Sequence, residues 1–408
     1  VYVYSYTPSG KRSSVAITFP DGSKKITKNA YDKYGRLVET IDGSRRVSYK
    51  YDDKTARLKE QNINGIPVFY TYTKLGQLES KVMGDMKSPI STLKYFYTKD
   101  GQITAREVNG KRQNYEYDVK GQLLAVKDSS GSALEKYAYD PAGNILSKTV
   151  DGKTVTYTYD ESNQLISAKT ADGKETSYRY DAAGRLTEES GVSTTKEYTY
   201  GWLDKVMKVR DTGKNSSEVD FSYHIDGQLA SRRSGDKVEN FYWDGLALVK
   251  KDGTDYINEP YATGGNPVLA NDEVMFNDML GTTLGSVDNG KFSATQTTAF
   301  GSGNNNAFFT GKPYVEGLGY AFLFRNYRPE MGKWQTSDPL GYPDGWNNFA
   351  YCNNGVIGSF DWQGGEIIEY YGNPEVYVDR DNYTNEIVRG DWYDTNTQII
   401  GNSGRVYE

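Results

Sequence analysis

The sequence predicts an all-β protein: a long antiparallel meander of hairpins, coiled into a spiral strip or partial hollow shell. Three observations carry this. A turn signal recurs every 20 to 25 residues, the stretches between turns alternate in polarity, and the composition is dominated by tyrosine. The 408 residues include 36 Tyr, 14 Phe and 6 Trp, with 43 Gly but only 12 Pro. Aromatic side chains suit a pleated, half-buried surface, and glycine supplies the positive φ that tight turns need.

Taken in chain order, the first corner of the unit reads YDKYGRL at Tyr31, YDDKTARL at Tyr51, YTKLGQL at Tyr72, YTKDGQI at Tyr97 and YDVKGQL at Tyr117. It continues as YDPAGNI at Tyr139, YDESNQL at Tyr159, YDAAGRL at Tyr180, YGWLDKV at Tyr200 and YHIDGQL at Tyr223. A degenerate copy begins at Tyr6, and FYWDGLALV around Tyr242 reads as the last. In EYDVKGQLL the Asp side chain can accept backbone N–H groups at the first corner of a four-residue turn, and Gly closes it in the left-handed region. About half a period later come Asp42-Gly43, Asn64-Gly65, Asn109-Gly110, Asp151-Gly152 and Asp172-Gly173, pairs that favour two-residue hairpin loops. Between them, VTYTYD and ETSYRYD alternate, placing both tyrosines of a Y-x-Y pair on one face and Thr, Arg or Lys on the other. About eleven such units imply some twenty strands, more than an open twisted sheet accommodates without curling. A β-propeller is the architectural rival, but its blades use about 40 residues and a closing signature absent here.

Charge and composition narrow the function. Lys plus Arg total 48 against 54 Asp plus Glu, a net charge of −6, which leaves no basic footprint for nucleic acid and no polybasic membrane signal. No apolar run approaches a membrane span. One Cys and one His rule out a disulfide framework and a Cys-based zinc site, and no cofactor is expected. The chain starts mid-pattern at VYVYSYTPSG, so it is expected to be an excised or processed piece with any export signal outside it.

The YD…G-x-L unit resembles the YD repeat of the Rhs family, which includes bacterial polymorphic toxins, the C component of insecticidal toxin complexes, and teneurins. The segment after the repeats is more specific. Asp278, Leu280, Gly281, Gly285 and Ser286 resemble the family's D-x-LG-S hairpin. Thr310–Lys312 (TGK), Arg325–Tyr327 (RNY), Pro329–Trp334 (PEMGKW) and Ser337–Gly341 (SDPLG) are similar to the Rhs-associated core. So are Asp344–Asn347, Ala350-Tyr351, Asn353-Asn354, Asp361 and Gly364. The sequence departs from the pattern at Gly355, where Pro is usual, at Asp361-Trp362-Gln363-Gly364 in place of DPxG, and at Gly365 in place of a bulky apolar residue.

The resemblance implies repeats over 1–255, a core over 256–365 that turns inward as a plug, and a variable tail or start of a payload over 366–408. It also implies a bacterial protein, secreted or at the cell surface, whose partner is its own C-terminal segment or an encapsulated toxin. In many bacterial members the core cuts the chain just after its last motif. Carried over residue by residue, that assigns Asp338 and Asp361 as the catalytic pair, with Asp344 and Arg325 as helpers and a cut near Gly365. Two neighbouring carboxyls cannot both ionise cheaply, so one keeps a proton while the other activates water. Asp338 and Asp361 equally suit turn capping ahead of Gly341 and Gly364.

Three functional readings follow: a repeat shell that scaffolds or sequesters a C-terminal segment, a self-cleaving aspartate protease, and a surface module for a cell-surface protein or glycan. The third requires tyrosines such as Tyr117, Tyr139, Tyr159 and Tyr180 to face outward. Other motifs carry little. His224 stands where other turns place Asp, and Cys352 has no neighbouring base to make it a nucleophile. The stretch DRDNYTNE from Asp379 begins like a calcium loop but has Thr384 where the bend needs Gly. Arg389-Gly390-Asp391 is a lone tripeptide, and the triplets starting at Asn215 and Asn382 match glycosylation sequons. The tail from Glu366 carries no recognisable nuclease, deaminase or transferase motif.

Overall fold

The computed structural model describes residues 1–369 except 214–215, 260–263 and 304–306, together with two-residue strands at 376–377, 388–389, 399–400 and 406–407. Asn215 of its sequon, the calcium-like stretch from Asp379 and the sequon at Asn382 lie outside the described residues. Twenty-nine strands, from Tyr2–Tyr6 to Lys291–Ala294, form one sheet. Each strand pairs antiparallel with the next in sequence, so the strip is a meander throughout. The strand Thr254–Glu259 runs through residues 255 and 256.

The YD corners have the expected chemistry. At Asp32, Oδ1 accepts the N–H groups of Tyr34 and Arg36, while Gly35 at φ +80° closes the turn onto the Asp32 carbonyl. The same pattern recurs at Asp118 and Asp181, and at Asp160 with Asn163 in place of the glycine, while Asp140 Oδ1 accepts the Asn144 N–H. Asn64-Gly65, Asn109-Gly110 and Asp151-Gly152 are two-residue loops with positive φ at both positions, the geometry that matches strand twist. Two expected loops differ. Asp42 pairs with Arg45 at the end of its strand, so the loop is Gly43-Ser44, and Asp172-Gly173 closes a four-residue turn that begins at Thr170.

Each YD tyrosine also performs a task that spacing did not reveal. The register shifts at this residue, and its hydroxyl donates to a backbone carbonyl of the preceding repeat. Tyr51 reaches Leu37 at 2.7 Å, Tyr72 reaches Leu58 at 2.7 Å, and Tyr139 reaches Leu123 at 2.6 Å. Tyr159 reaches Ile145 at 2.9 Å, Tyr200 reaches Leu186 at 2.7 Å, and at the last repeat the Trp243 indole N–H replaces the hydroxyl on Leu229 at 2.7 Å. Each such bond is worth about 1 kcal/mol and satisfies a carbonyl at the bulge.

The strip winds onto itself. In the strand Lys237–Asp244 and the strand Ala247–Lys251, Phe241, Trp243 and Leu248 belong to an inner cluster. Tyr242 and Val249, on the opposite face, pack against Val15, Ile17 and Phe19 near the start of the chain. Phe19 and Tyr242 meet edge-on at 4.7 Å, Lys250 lies 4.3 Å from the Phe19 ring centre, and Arg12 pairs with Asp244 at 2.8 Å. The strip has therefore returned to its own beginning and passed inside it. Beyond this point Asn266–Ala270 and Val274–Gly285 are buried almost continuously, as strands covered on both faces must be.

Inner and outer layers are joined by buried polar contacts. Gln61 donates to Glu259 at 2.8 Å, Lys81 to the Asn277 carbonyl at 3.2 Å, and the Glu135 carboxylate accepts the Ala299 N–H at 3.0 Å. Further on, Lys148 reaches the carbonyls of Pro329 and Glu330, and Lys205 that of Leu323. The inner face of the strip is thus not solely Tyr, Leu and Ile. It also carries lysines long enough to cap core carbonyls, which the alternation pattern had placed with the outward charges.

The core itself is a five-stranded sheet running from Phe308–Phe309 to Lys333–Trp334, with an aromatic centre. Tyr327 stacks on Phe309 at 5.4 Å and meets Tyr351 at 4.3 Å, while Trp334 meets Phe322 edge-on at 5.0 Å. Gly319 is required in this sheet: at φ +87° a Cβ there would lie 2.2 Å from the Tyr327 carbonyl oxygen. Among the described residues no helix is long and apolar enough to cross a membrane.

Candidate functional site

Arg325 follows the strand Gly319–Ala321, and its side chain runs over the face of Trp334, with the guanidinium carbon 4.3 Å from a ring centre. Its guanidinium is buried, at 2 % side-chain exposure, and each of its three nitrogens has a partner. Nη2 pairs with Asp338 Oδ2 at 2.6 Å and lies 3.7 Å from Asp361 Oδ2, Nη1 donates to the Asn348 carbonyl at 2.8 Å, and Nε donates to the Gly364 carbonyl at 2.6 Å.

The carboxylates arrive from two turns and a strand end. Asp338 opens the DPLG turn and its Oδ1 accepts the Leu340 N–H at 2.8 Å. Asp361 ends the strand Ser359–Asp361, and its Oδ1 accepts the N–H groups of Gln363 at 3.0 Å and Gly364 at 2.6 Å. Asp344 Oδ1 accepts the Ile367 N–H at 3.0 Å. Asp338 and Asp361 thus cap turns and also meet the same guanidinium. The structure brings together all four residues that the family motifs single out, and three of them, Arg325, Asp361 and Asp344, hold the backbone stretch 364–367. Asp361 Oδ2 is buried and accepts no hydrogen bond.

This setting shifts the carboxyl groups. Burial pushes Asp361 up to about 6, against the pull of Arg325 and the backbone N–H groups of Gly364, Gln363 and Gly365. Burial pushes Asp344 up to about 7, reinforced by the charges of Asp361 and Asp338 and opposed by the Ile367 N–H. Asp338 is also raised by burial, with Arg325 opposing. A carboxyl raised above its unfolded value of about 3.9 contributes stability that is complete below that value and is lost as pH rises through the folded value. Denaturant titrations from pH 4 to pH 7 should therefore show wild-type stability falling more steeply than that of Asp344→Asn, with the difference concentrated between about 4 and about 7.

Other sequence candidates are placed elsewhere. Cys352 is buried at the core with its thiol pushed up by burial, which suits packing and not nucleophilic attack. His224 sits in a YD turn with Nε2 3.5 Å from the Phe241 carbonyl oxygen. Tyr117, Tyr139 and Tyr159 lie on the inner face with their hydroxyls on neighbouring carbonyls, and Tyr180 packs edge-on against Phe349 at 5.8 Å. Among the described residues no group of three or more His, Cys, Asp or Glu is placed to hold a metal ion.

The sequence model described as Teneurin YD-shell matches residues 69–245, the heart of the strip. Over those residues the chain is similar to a YD-repeat shell of the teneurin and Rhs type. Among curated relatives, a tRNA3(Ser)-specific nuclease WapA of Bacillus spizizenii is 30% identical over 132 residues, which is 32% of this chain and 5% of the relative. The tRNA nuclease WapA of Bacillus subtilis is 27% identical over 132 residues, with the same coverage. This YD-repeat chain therefore aligns with only a small fraction of either relative's length. Among solved structures, the crystal structure of TcdB2-TccC3 without its hypervariable C-terminal region aligns with a TM-score of 0.45 and 17% identity. It covers 89% of this chain and 26% of that one.

Proposed function

We propose that the chain is the closing segment of a secreted bacterial YD-repeat shell. The strip wraps its own core and so anchors the C-terminal segment that begins at residue 366. The clamp on residues 364–367 carries this reading: Arg325 holds the Gly364 carbonyl, Asp361 the Gly364 N–H and Asp344 the Ile367 N–H. A shell whose inner end grips the backbone at the start of its tail is built to present or retain that tail.

The same geometry favours a second reading, one self-cleavage at Gly364–Gly365. Arg325 Nε is aimed at the oxygen on which negative charge would develop, the arrangement that stabilises a tetrahedral intermediate. Asp361, with one oxygen accepting no hydrogen bond, takes a proton from water as it adds to the Gly364 carbonyl carbon. Protonated Asp344, held by the N–H of Ile367 three residues downstream of Gly364, lies on the side of the leaving amine. The products are a Gly364 carboxylate and a Gly365 amine. Intact-mass spectrometry of wild type, Asp338→Asn and Asp361→Asn tests it. A fragment ending at Gly364 in wild type alone supports the cut, whereas uncut protein in all three leaves the anchoring role and removes the enzymatic one.

A further inference from the structure

Lys333 is a buried lysine outside the cluster of Arg325, Asp338, Asp344 and Asp361. It is 3% exposed and enters the inner face of the strip over the Tyr159 ring, with Nζ 4.1 Å from the ring centre. Nζ donates to the Asn163 carbonyl at 2.9 Å and to Asn144 Oδ1 at 3.0 Å. Asn144, 2% exposed, belongs to the YDPAGNI turn. At the position after the turn glycine, or its equivalent, the other nine aligned repeats carry Arg36, Arg57, Gln77, Gln102, Gln122, Gln164, Arg185, Lys205 and Gln228. Asn144 is thus a short amide where the repeat otherwise places a longer side chain.

Its two ends are held differently. Asn347 Nδ2 donates to Asn144 Oδ1 at 2.8 Å, drawing electron density from the carbonyl. Asn144 Nδ2 donates to Asp140 Oδ2 at 2.9 Å and to Asn163 Oδ1 at 2.8 Å. An amine, a polarised amide and a carboxylate on the amide nitrogen therefore meet in a site walled by Tyr159 and Phe349.

We propose that Lys333 and Asn144 form an intramolecular isopeptide bond that covalently ties the core to the wall of the shell. The Nζ lone pair adds to Cγ of Asn144, and the carbonyl pair moves onto Oδ1, where Asn347 donates. One proton passes from the attacking nitrogen through the Asp140 carboxylate to Nδ2. The Cγ–Nδ2 bond then breaks and ammonia leaves. The product is an Nζ–Cγ amide, with no oxidant or reductant involved. Burial pushes Lys333 down to about 7, so much of it is free amine near neutrality, the form that attacks. The bond would join residues 189 apart in sequence and could not be undone by denaturant.

The test is mass spectrometry of the purified full chain under denaturing conditions, with peptide mapping, for wild type, Lys333→Arg and Asn144→Ala. The proposal expects wild type to be lighter than its sequence by one ammonia and to yield a branched peptide joining Asn144 and Lys333. It expects both variants to show neither, and the bond to form faster above pH about 7 than below it. Recovery of Asn144 and Lys333 from wild type only in linear peptides overturns it. The branched peptide also separates this bond from succinimide formation, which loses the same ammonia without a cross-link. Because the wild-type map decides the matter, a variant that fails to fold does not weaken the test.

Discussion

Replacing Arg325 with Met lowers the unfolding free energy by about 3 to 5 kcal/mol and abolishes any cut after Gly364. The magnitude is that of removing one partner from a buried ion pair, because the charge left behind has no compensation. Here the loss is compounded. Asp338 loses its 2.6 Å partner, Asp361 its nearest cation, and the carbonyls of Gly364 and Asn348 their donors, all away from water. The uncompensated carboxyls respond by taking up protons, so the variant recovers part of its stability at acid pH. Urea unfolding at two pH values, followed by circular dichroism, checks this, and wild-type behaviour at both would show that the guanidinium does not hold the cluster.

The second large effect is at Trp334. It is 1% exposed and touches Phe322 at 5.0 Å, Tyr351 at 5.3 Å, Tyr327 at 5.7 Å and the Arg325 guanidinium at 4.3 Å. Trp334→Ala should cost about 3 to 5 kcal/mol, the usual range for emptying a large buried aromatic site. It also removes the surface that orients Arg325, so stability and any cleavage should fall together. Trp334→Phe should retain most of the packing and restore both in part. A Trp334→Ala variant whose urea midpoint matched wild type would show that the aromatic centre is not the keel of the core.

Much of this was legible in the sequence because it is local. An Asp that caps two N–H groups, a Gly at positive φ four residues after the tyrosine and an Asn-Gly loop half a period later are decided within seven residues. The identities of Arg325, Asp338, Asp344 and Asp361 were legible through family motifs, though not the reason they meet. Their convergence depends on Trp334 supporting the guanidinium and on Asp361 turning the chain back at Gly364.

What stayed hidden is long-range. Lys81, Lys148 and Lys205 read as outward charges because alternation assigns a face but not what covers it. Their carbonyl partners lie more than a hundred residues away. The slip of the Asp42-Gly43 loop by one residue depends on which register the neighbouring strands adopt, which a dipeptide signal leaves open. Asn144 looked like an ordinary turn variant until Lys333 and Asn347 were seen to converge on it.

The central claim is that the strip closes on itself around its own core. Small-angle scattering of the full chain tests it directly. A compact chain of 408 residues has a radius of gyration of about 22 Å. An unwound strip of 29 strands at about 4.8 Å spacing would be some 140 Å long, with a radius of gyration near 40 Å. The structure predicts a value in the low twenties of ångströms, with a single compact maximum in the pair-distance distribution. A value approaching 40 Å, with an extended distribution, would contradict it.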